Sequence, residues 1–432
     1  MLPLHAQCEV LVIGAGPIGL FTAIQAKLQH PCLEIALMER LPEYVRQQSL
    51  KINPASFDKM PPLQRLDSPG SVERDEAVEE LTQLILQMKT KKKIKIHDLE
   101  TGLQQIATKL HITIHKGLTF ARTRENDRQL DREALKLLFP NARLIIGADG
   151  AHSKVREVVF GNTLKVDESL QYTIAVKYRV KQSSRPLNKL DAYPAQKLVG
   201  STQEHVGEYD ATTDTTPITV QFFVDKETFD KLKNYRAGNP LPLDELKQID
   251  ETAEENIRTW LGVRAERVQD KIEGHIEVYT IRLPSYQSQE VVKKEGDRTF
   301  FLVGDALFGV PFYRAINNGF LCSSKLSKTV VKLLKPPLLS PPPLSLWKQI
   351  KRFVYSLLTW HSPTPSLSPE QSYAFYADRL ATTEIRNARI KNAFLNLYQW
   401  FIAISARVPW QVNRWSPRDI DRFTEFNPTP IA

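Results

Sequence analysis

The stretch EVLVIGAGPIGLFTAIQAKL, residues 9–28, decides the fold. Residues 9–13 are a short β-branched run, Gly14-Ala15-Gly16-Pro17-Ile18-Gly19 follows without a gap, and the residues from Leu20 onward have helical periodicity. A strand, a tight turn and a helix in that order direct the positive end of a helix at the turn, where phosphates bind. Gly14 permits the turn, Gly16 lets a pyrophosphate approach the backbone, and Gly19 lets the helix lie close on the sheet. Pro17 suits the first helical turn, because the N–H it lacks would be unsatisfied there. A second strand, residues 33–38, leads to Glu39, placed where a carboxylate can accept hydrogen bonds from an adenosine ribose, with Arg40 beside it. The pattern predicts a dinucleotide site and does not choose between NAD and FAD.

Working outward, 432 residues suggest two or three structural units. Hydrophobic residues at 42% and charged residues at 25% are globular values, which exclude collagen-like, coiled-coil and wholly disordered chains. The mean hydropathy of -0.32 fits a soluble body. Three scattered cysteines, Cys8, Cys32 and Cys322, provide neither a disulfide framework nor a zinc site, so a reducing, cytoplasmic setting without a structural metal is expected. The apolar N-terminus reads as a buried strand rather than a leader, because it lacks a basic start and is broken by glycines. No run of 18 apolar residues predicts a membrane-spanning helix.

The net charge of +9 is unevenly placed: residues 321–432 hold 15 Lys+Arg against 6 Asp+Glu, and the rest of the chain balances. Five of the six tryptophans, Trp347, Trp360, Trp400, Trp410 and Trp415, fall in the same tail. A basic appendage of this kind suits a membrane surface or an acidic partner, and no nucleic-acid footprint is expected on the body. The cluster Lys89-Thr90-Lys91-Lys92-Lys93-Ile94-Lys95 reads as a solvated loop, since aromatic interleaving and a second basic stripe are both missing.

Two later segments repeat the strand-then-glycine arrangement. Residues 142–146 end in Gly147-Ala148-Asp149-Gly150-Ala151-His152-Ser153-Lys154-Val155-Arg156, and residues 299–303 lead into Gly304-Asp305-Ala306, followed by Val310-Pro311-Phe312-Tyr313 and Asn317-Asn318-Gly319-Phe320. The first segment resembles the DG motif of the class A flavoprotein monooxygenases, the group of para-hydroxybenzoate hydroxylase. The second resembles their GD motif, in a form similar to that of kynurenine 3-monooxygenase and of the MICAL oxidoreductase domain. Beside the resemblance, a strand that delivers Asp305 at its carboxyl end can offer an acidic oxygen to a sugar-like hydroxyl.

The resemblance covers about residues 8–330 and implies an α/β fold. It comprises a Rossmann-like FAD-binding domain of the glutathione reductase type, an antiparallel-sheet substrate domain and a helical C-terminal extension. The expected division is residues 1–165 and 286–335 for the FAD-binding domain, 166–285 for the substrate domain, and 336–432 for a Pro-rich linker with a basic helical extension. It implies that Gly14, Gly16, Pro17, Ile18, Gly19, Glu39, Arg40, Asp149, Gly304, Asp305, Asn317 and Asn318 hold FAD, and that Arg46 lies near the cofactor. Where the family commonly has an arginine or glutamine touching the flavin, this chain offers His97 or Lys95. Where the family has small glycines ahead of the asparagine, it has Tyr313, Arg314, Ala315 and Ile316, a bulkier turn. Tyr313, Arg314 and His97 are the catalytic candidates.

The implied activity is monooxygenation: NAD(P)H as cosubstrate reduces FAD, O2 adds to give a flavin hydroperoxide, and one oxygen atom passes to a small organic substrate. The alternatives are a reductase or oxidase of the same superfamily, or an inactive FAD-binding interaction protein.

Between these motifs, residues 172–180, 217–224 and 275–283 alternate as strands of an antiparallel sheet, with a helical stretch over 244–261. Tyr172, Tyr178, Phe222, Tyr279 and Arg282 are pocket candidates there. Eight prolines between Pro336 and Pro369 interrupt the tail. Between them, residues 344–360 place Leu346, Ile350, Phe353, Val354 and Leu357 on one helical face, a pattern that suits either a membrane surface or the protein's own body. Residues 372–405 read as one or two further helices.

Overall fold

A computed structural model describes residues 7–44, 49–58, 60, 72–120, 128–130, 132–311, 314–334 and 367–406. In chain order the elements begin with β1 (Val10–Ile13), α1 (Pro17–Gln29), β2 (Ile35–Glu39), α2 (Val72–Lys91), α3 (Ile96–Lys109), β3 (Thr113–Lys116), β4 (Leu144–Gly147) and α4 (Lys154–Phe160). Then come β5 (Leu164–Lys181), α5 (Lys189–Val199), β6 (Thr202–Val206), β7 (Thr215–Val224), β8 (Leu241–Pro242), α6 (Glu251–Arg267) and β9 (Ile272–Ser288). The chain returns through β10 (Val292–Glu295) and β11 (Arg298–Leu302) to α7 (Ala315–Leu334) and α8 (Pro369–Ala406). It divides into two compact units, residues 1–166 with 286–383, and residues 167–285 with 384–432.

The first unit is built on a six-stranded sheet in the order β10-β11-β4-β1-β2-β3, parallel except for β10. Its central strands are apolar throughout: Val10, Leu11, Val12, Ile145, Ile146, Phe301 and Leu302 are all buried, as expected where both faces of a parallel sheet are covered. α1 packs on α7 through a polar seam, in which Thr22 Oγ1 donates to Ser323 Oγ at 2.8 Å and Gln29 Nε2 to Ser327 Oγ at 3.0 Å. The first half of α8 closes this unit. Tyr373 is fully buried, donates to the carbonyl of Leu302 at 2.6 Å, and meets Phe301 edge-on.

The second unit contains an antiparallel sheet in the order β6-β7-β5-β9-β8. One face packs on α5 and α6 through Ile174, Val176, Ile218, Val220, Phe222 and Trp260. The fold class is therefore the one expected: mixed α/β, a parallel nucleotide-binding type of sheet, a separate antiparallel sheet and a C-terminal helix.

Three local readings are corrected. The basic cluster at 89–95 is not a loop, because it forms the end of α2 and a strand at Lys93–Lys95; lysines suit the negative C-terminal end of a helix, and Lys89 pairs with Asp58 at 3.0 Å. The helix expected over 244–261 is two helices, Leu243–Leu246 and α6. The carboxylate of Asp250 ends the join by accepting from the amide of Ala253. Tyr178 and Phe222 lie in the core rather than in a pocket.

Among the described residues, no helix is long and apolar enough to cross a membrane. The amphipathic stretch at 344–360 lies outside them.

The cysteines give a first test. Cys8 and Cys322 are buried and burial pushes each thiol up to about 12, whereas Cys32 is exposed. The thiolate is the reactive form. At pH 8 the native protein is expected to release one equivalent of thionitrobenzoate from Ellman's reagent, through Cys32, and three after denaturation; a fast second equivalent from the native state would contradict the packing around β1 or α7.

Candidate dinucleotide site

Four strand ends are brought level by backbone hydrogen bonds that run from each turn to its neighbour. The amide of Gly14 donates to the carbonyl of Met38 at 2.8 Å, Ala148 to Ile13 at 2.8 Å, and Val303 to Gly147 at 3.0 Å. The three glycine-marked segments of the sequence thus meet along one edge of the first unit, the carboxyl edge of a parallel sheet, where α/β folds bind ligands.

The turn after β1 is fixed by steric exclusion. Gly14 has φ of +103°, and a Cβ on it would lie 2.5 Å from the carbonyl oxygen of Ala148. A Cβ on Gly19 would lie 1.9 Å from the carbonyl oxygen of Gly14. Gly16 differs: the nearest atom to its Cβ position is Oε1 of Glu100, 3.9 Å away. Two glycines are therefore demanded by the protein itself, and the third leaves a gap in front of α1. That helix begins at Pro17 with no side-chain cap and no acidic residue in its first turn, so its amides face outward with their positive field unopposed by their own helix. An anion is the natural occupant.

Glu39 stands at the end of β2. Its Oε2 accepts from the amide of Ala15 at 2.9 Å and its Oε1 from the amide of Leu41 at 2.9 Å, so the carboxylate orders the glycine turn. Each oxygen retains acceptor capacity for a ribose hydroxyl. Arg40 follows, half-buried. Tyr44 closes over the turn: its hydroxyl donates to the carbonyl of Ala15 at 2.8 Å, and Lys116 lies over its ring. His97, at the start of α3, bonds through Nδ1 to the carbonyl of Tyr44 at 2.9 Å. A carbonyl only accepts, so that nitrogen carries the proton. His97 braces the turn from behind.

Asp149 caps α4, its Oδ2 accepting from the amides of Lys154 at 2.6 Å and Val155 at 3.1 Å. Burial pushes its carboxyl up, opposed by these hydrogen bonds and by Ser153. Its Oδ1 is buried and lacks a hydrogen-bond partner.

Gly304 opens the last turn, at φ of +63°, and Asp305 follows it, half-buried. Ile18 of α1 fills the space that side chains on Gly304 and Gly319 would need, its Cδ1 lying 2.4 Å from a Cβ on Gly319. Its side chain therefore packs α1 against α7, which leaves its backbone for any ligand.

Asn317, in the first turn of α7, is engaged with the chain at 51–56. Its Oδ1 accepts from the amide of Asn53 at 2.8 Å and its Nδ2 donates to the carbonyl of Lys51 at 3.1 Å. Asn318 is buried in the same turn, with its amide on the carbonyl of Arg314. Arg46 and Tyr313 lie outside the described residues.

Sequence reasoning passed over Arg156 and Tyr286. Arg156 is buried on α4 and donates to the carbonyls of Ala306 at 2.9 Å and Ala151 at 2.8 Å, and to Oδ1 of Asn162 at 3.1 Å. It lies over the ring of Tyr286, whose hydroxyl donates to the carbonyl of Asp305 at 2.8 Å. Burial, then the Asp305 carboxylate, pushes the Tyr286 hydroxyl up, which keeps its proton in place for that bond. Arg156 was visible in the second motif, three residues past Ser153, but nothing local ties it to Ala306, 150 residues away. Tyr44 carried no comparable signal.

No protein-family model matches the sequence, and no curated protein is significantly similar to it. Solved structures are similar in fold at low identity. BexE, described through its part in oxidation during BE-7585A biosynthesis, is 14% identical over 97% of this chain and 76% of its own, with a TM-score of 0.50. CabE, an aromatic hydroxylase from angucycline biosynthesis, is 15% identical over 93% of this chain and 73% of its own, at 0.48. PqsL, a probable FAD-dependent monooxygenase from Pseudomonas aeruginosa, is 12% identical over 93% of this chain and 99% of its own, at 0.46. At this level of identity the likeness is one of fold.

Proposed function

We propose that the chain is an FAD-dependent monooxygenase that uses NAD(P)H and O2 to oxygenate an organic substrate. The observation that carries this reading is the gap in front of Gly16 at an uncapped helix end, on the same sheet edge as Glu39, Asp149 and Asp305. The DG- and GD-like segments and a fold shared with BexE, whose description concerns oxidation, agree with it.

The protein's part is to bind and orient. The α1 amides would neutralise a pyrophosphate, Glu39 would take the adenosine ribose, and Asp305, on the turn held by Arg156 and Tyr286, would take hydroxyls of the ribityl chain. FAD bound there would supply the redox chemistry, taking reducing equivalents from NAD(P)H and delivering oxygen from O2.

One observation favours a second reading, FAD binding without turnover: Asn317, a candidate for holding the cofactor, is engaged with Lys51 and Asn53.

The test is to purify the protein, record its visible absorption, and add NADPH or NADH in air with and without aromatic substrates. A flavin spectrum that bleaches and recovers, with oxygenated product, is the expected result. Reduction that yields only peroxide would support a reductase or oxidase, a flavin that never bleaches would support the binding protein, and a colourless protein that refuses added FAD would overturn both.

A further inference from the structure

The second half of α8, in the second unit, is polar on the side that meets the protein and apolar on the side that meets water. Toward the protein, Gln171 Nε2 donates to Oδ1 of Asn392 at 2.8 Å and of Asn396 at 2.6 Å. Tyr398 donates to Oε1 of Gln196 at 2.5 Å, and Arg389 forks onto both carboxylate oxygens of Glu168. Ile385, Ala388, Ile402 and Ser405 are buried on this side.

Away from it, Ile390 is 45% exposed, Leu397 58%, Trp400 61% and Ile404 40%. Their spacing of seven, three and four residues places them in one stripe along the helix. Single exposed apolar residues are ordinary. A stripe of four large ones, on a helix that also makes polar contacts toward the protein, marks a surface that something covers.

Charge indicates what that is. From Ile385 to Ala406 the helix carries no acidic residue; Arg389 is paired with Glu168, and the exposed Arg386 heads the stripe one turn before Ile390. In the sequence, the whole positive excess of the chain lies in residues 321–432. An apolar face that carries a tryptophan and is headed by an arginine is what an amphipathic helix presents to an anionic membrane.

We propose that this face of α8 docks on an anionic lipid surface, lying in the headgroup region without crossing it. Trp400 would sit at the interface with its ring among the acyl chains and its N–H toward water.

The experiment is flotation of the full-length protein with phosphatidylcholine vesicles and with phosphatidylcholine–phosphatidylserine vesicles, at low and high salt, alongside size-exclusion chromatography. The wild type is expected to float with the phosphatidylserine vesicles, less so in high salt. The double variant Leu397→Gln, Trp400→Gln is expected to lose at least about tenfold in partition at an unchanged melting temperature. Arg386→Glu, which leaves the apolar stripe intact, is expected to weaken binding to the charged vesicles alone. Failure of the wild type to float on either vesicle would overturn the proposal. So would equal flotation of the double variant, or a dimer that the double variant dissociates without any lipid binding, which would assign the face to a second copy of the chain.

Discussion

Gly19→Ala is expected to yield little folded protein, while Gly16→Ala folds normally and fails to retain FAD. The two glycines belong to one motif and are three residues apart, yet what surrounds them is opposite. At Gly19 the added methyl would lie 1.9 Å from the carbonyl oxygen of Gly14, and both partners are backbone, so no rotamer can relieve the overlap. Either α1 lifts from the sheet or the turn after β1 opens. Both break the packing of Leu20, Phe21 and Ile24, which are fully buried, and the cost is placed above about 4 kcal/mol. At Gly16 the methyl enters space with no atom nearer than 3.9 Å, so thermal stability is expected within about 1 kcal/mol of wild type. That space is where a pyrophosphate would approach the helix amides. A methyl there holds the phosphates away, and FAD affinity is expected to fall by at least tenfold, about 1.4 kcal/mol. Soluble yield and thermal melting report the first effect, and fluorescence titration of FAD onto stripped protein reports the second. If Gly16→Ala retained wild-type affinity, the dinucleotide would not lie against α1 and the proposed site would be wrong.

The same contrast separates what is legible in the sequence from what only the fold creates. The strand, turn and helix at 9–28 were legible because every requirement is local: β-branched residues, a glycine where φ is positive, a proline at the first helical position. The return of β11 to the same sheet was legible because Gly304-Asp305 carries its own signature. α2 was missed although Ala77, Leu81, Ile85 and Met88 form its buried stripe, because the dense charge around them resembles a solvated segment. Tyr178 and Phe222 were misplaced for a different reason: alternation with period two separates the two faces of a strand but does not say which face the helices cover. The contacts that order the site are the least legible of all. Tyr44 on Ala15, His97 on Tyr44 and Asn317 on Lys51 join segments 29 to 266 residues apart, and each depends on the fold already being in place.

Arg156 is a further long-range link, and Arg156→Ala is expected to cost on the order of 3–5 kcal/mol and most of the bound flavin together. The guanidinium satisfies the carbonyls of Ala306 and Ala151 and the amide oxygen of Asn162, all from a position that water does not reach. Alanine leaves those acceptors without a donor and leaves a cavity under the ring of Tyr286, so the turn carrying Asp305 loses its side-chain hydrogen bonds to α4. For a chain of this size the loss corresponds to roughly 3–6 °C in Tm. Tyr286→Phe removes one neutral hydrogen bond to the Asp305 carbonyl and is expected to cost about 1 kcal/mol. Arg156→Lys keeps the charge but loses the fork, and should fall between them, nearer to alanine. The order of the three variants is the informative result. A merely structural role would lower Tm in that order while flavin, once bound to the surviving folded protein, titrates with wild-type affinity. A positioning role for the Asp305 turn requires that affinity fall in the same order, measured below the melting transition of every variant. Wild-type affinity and less than about 1 kcal/mol of destabilisation in Arg156→Ala would remove Arg156 as a support of the turn that carries Asp305.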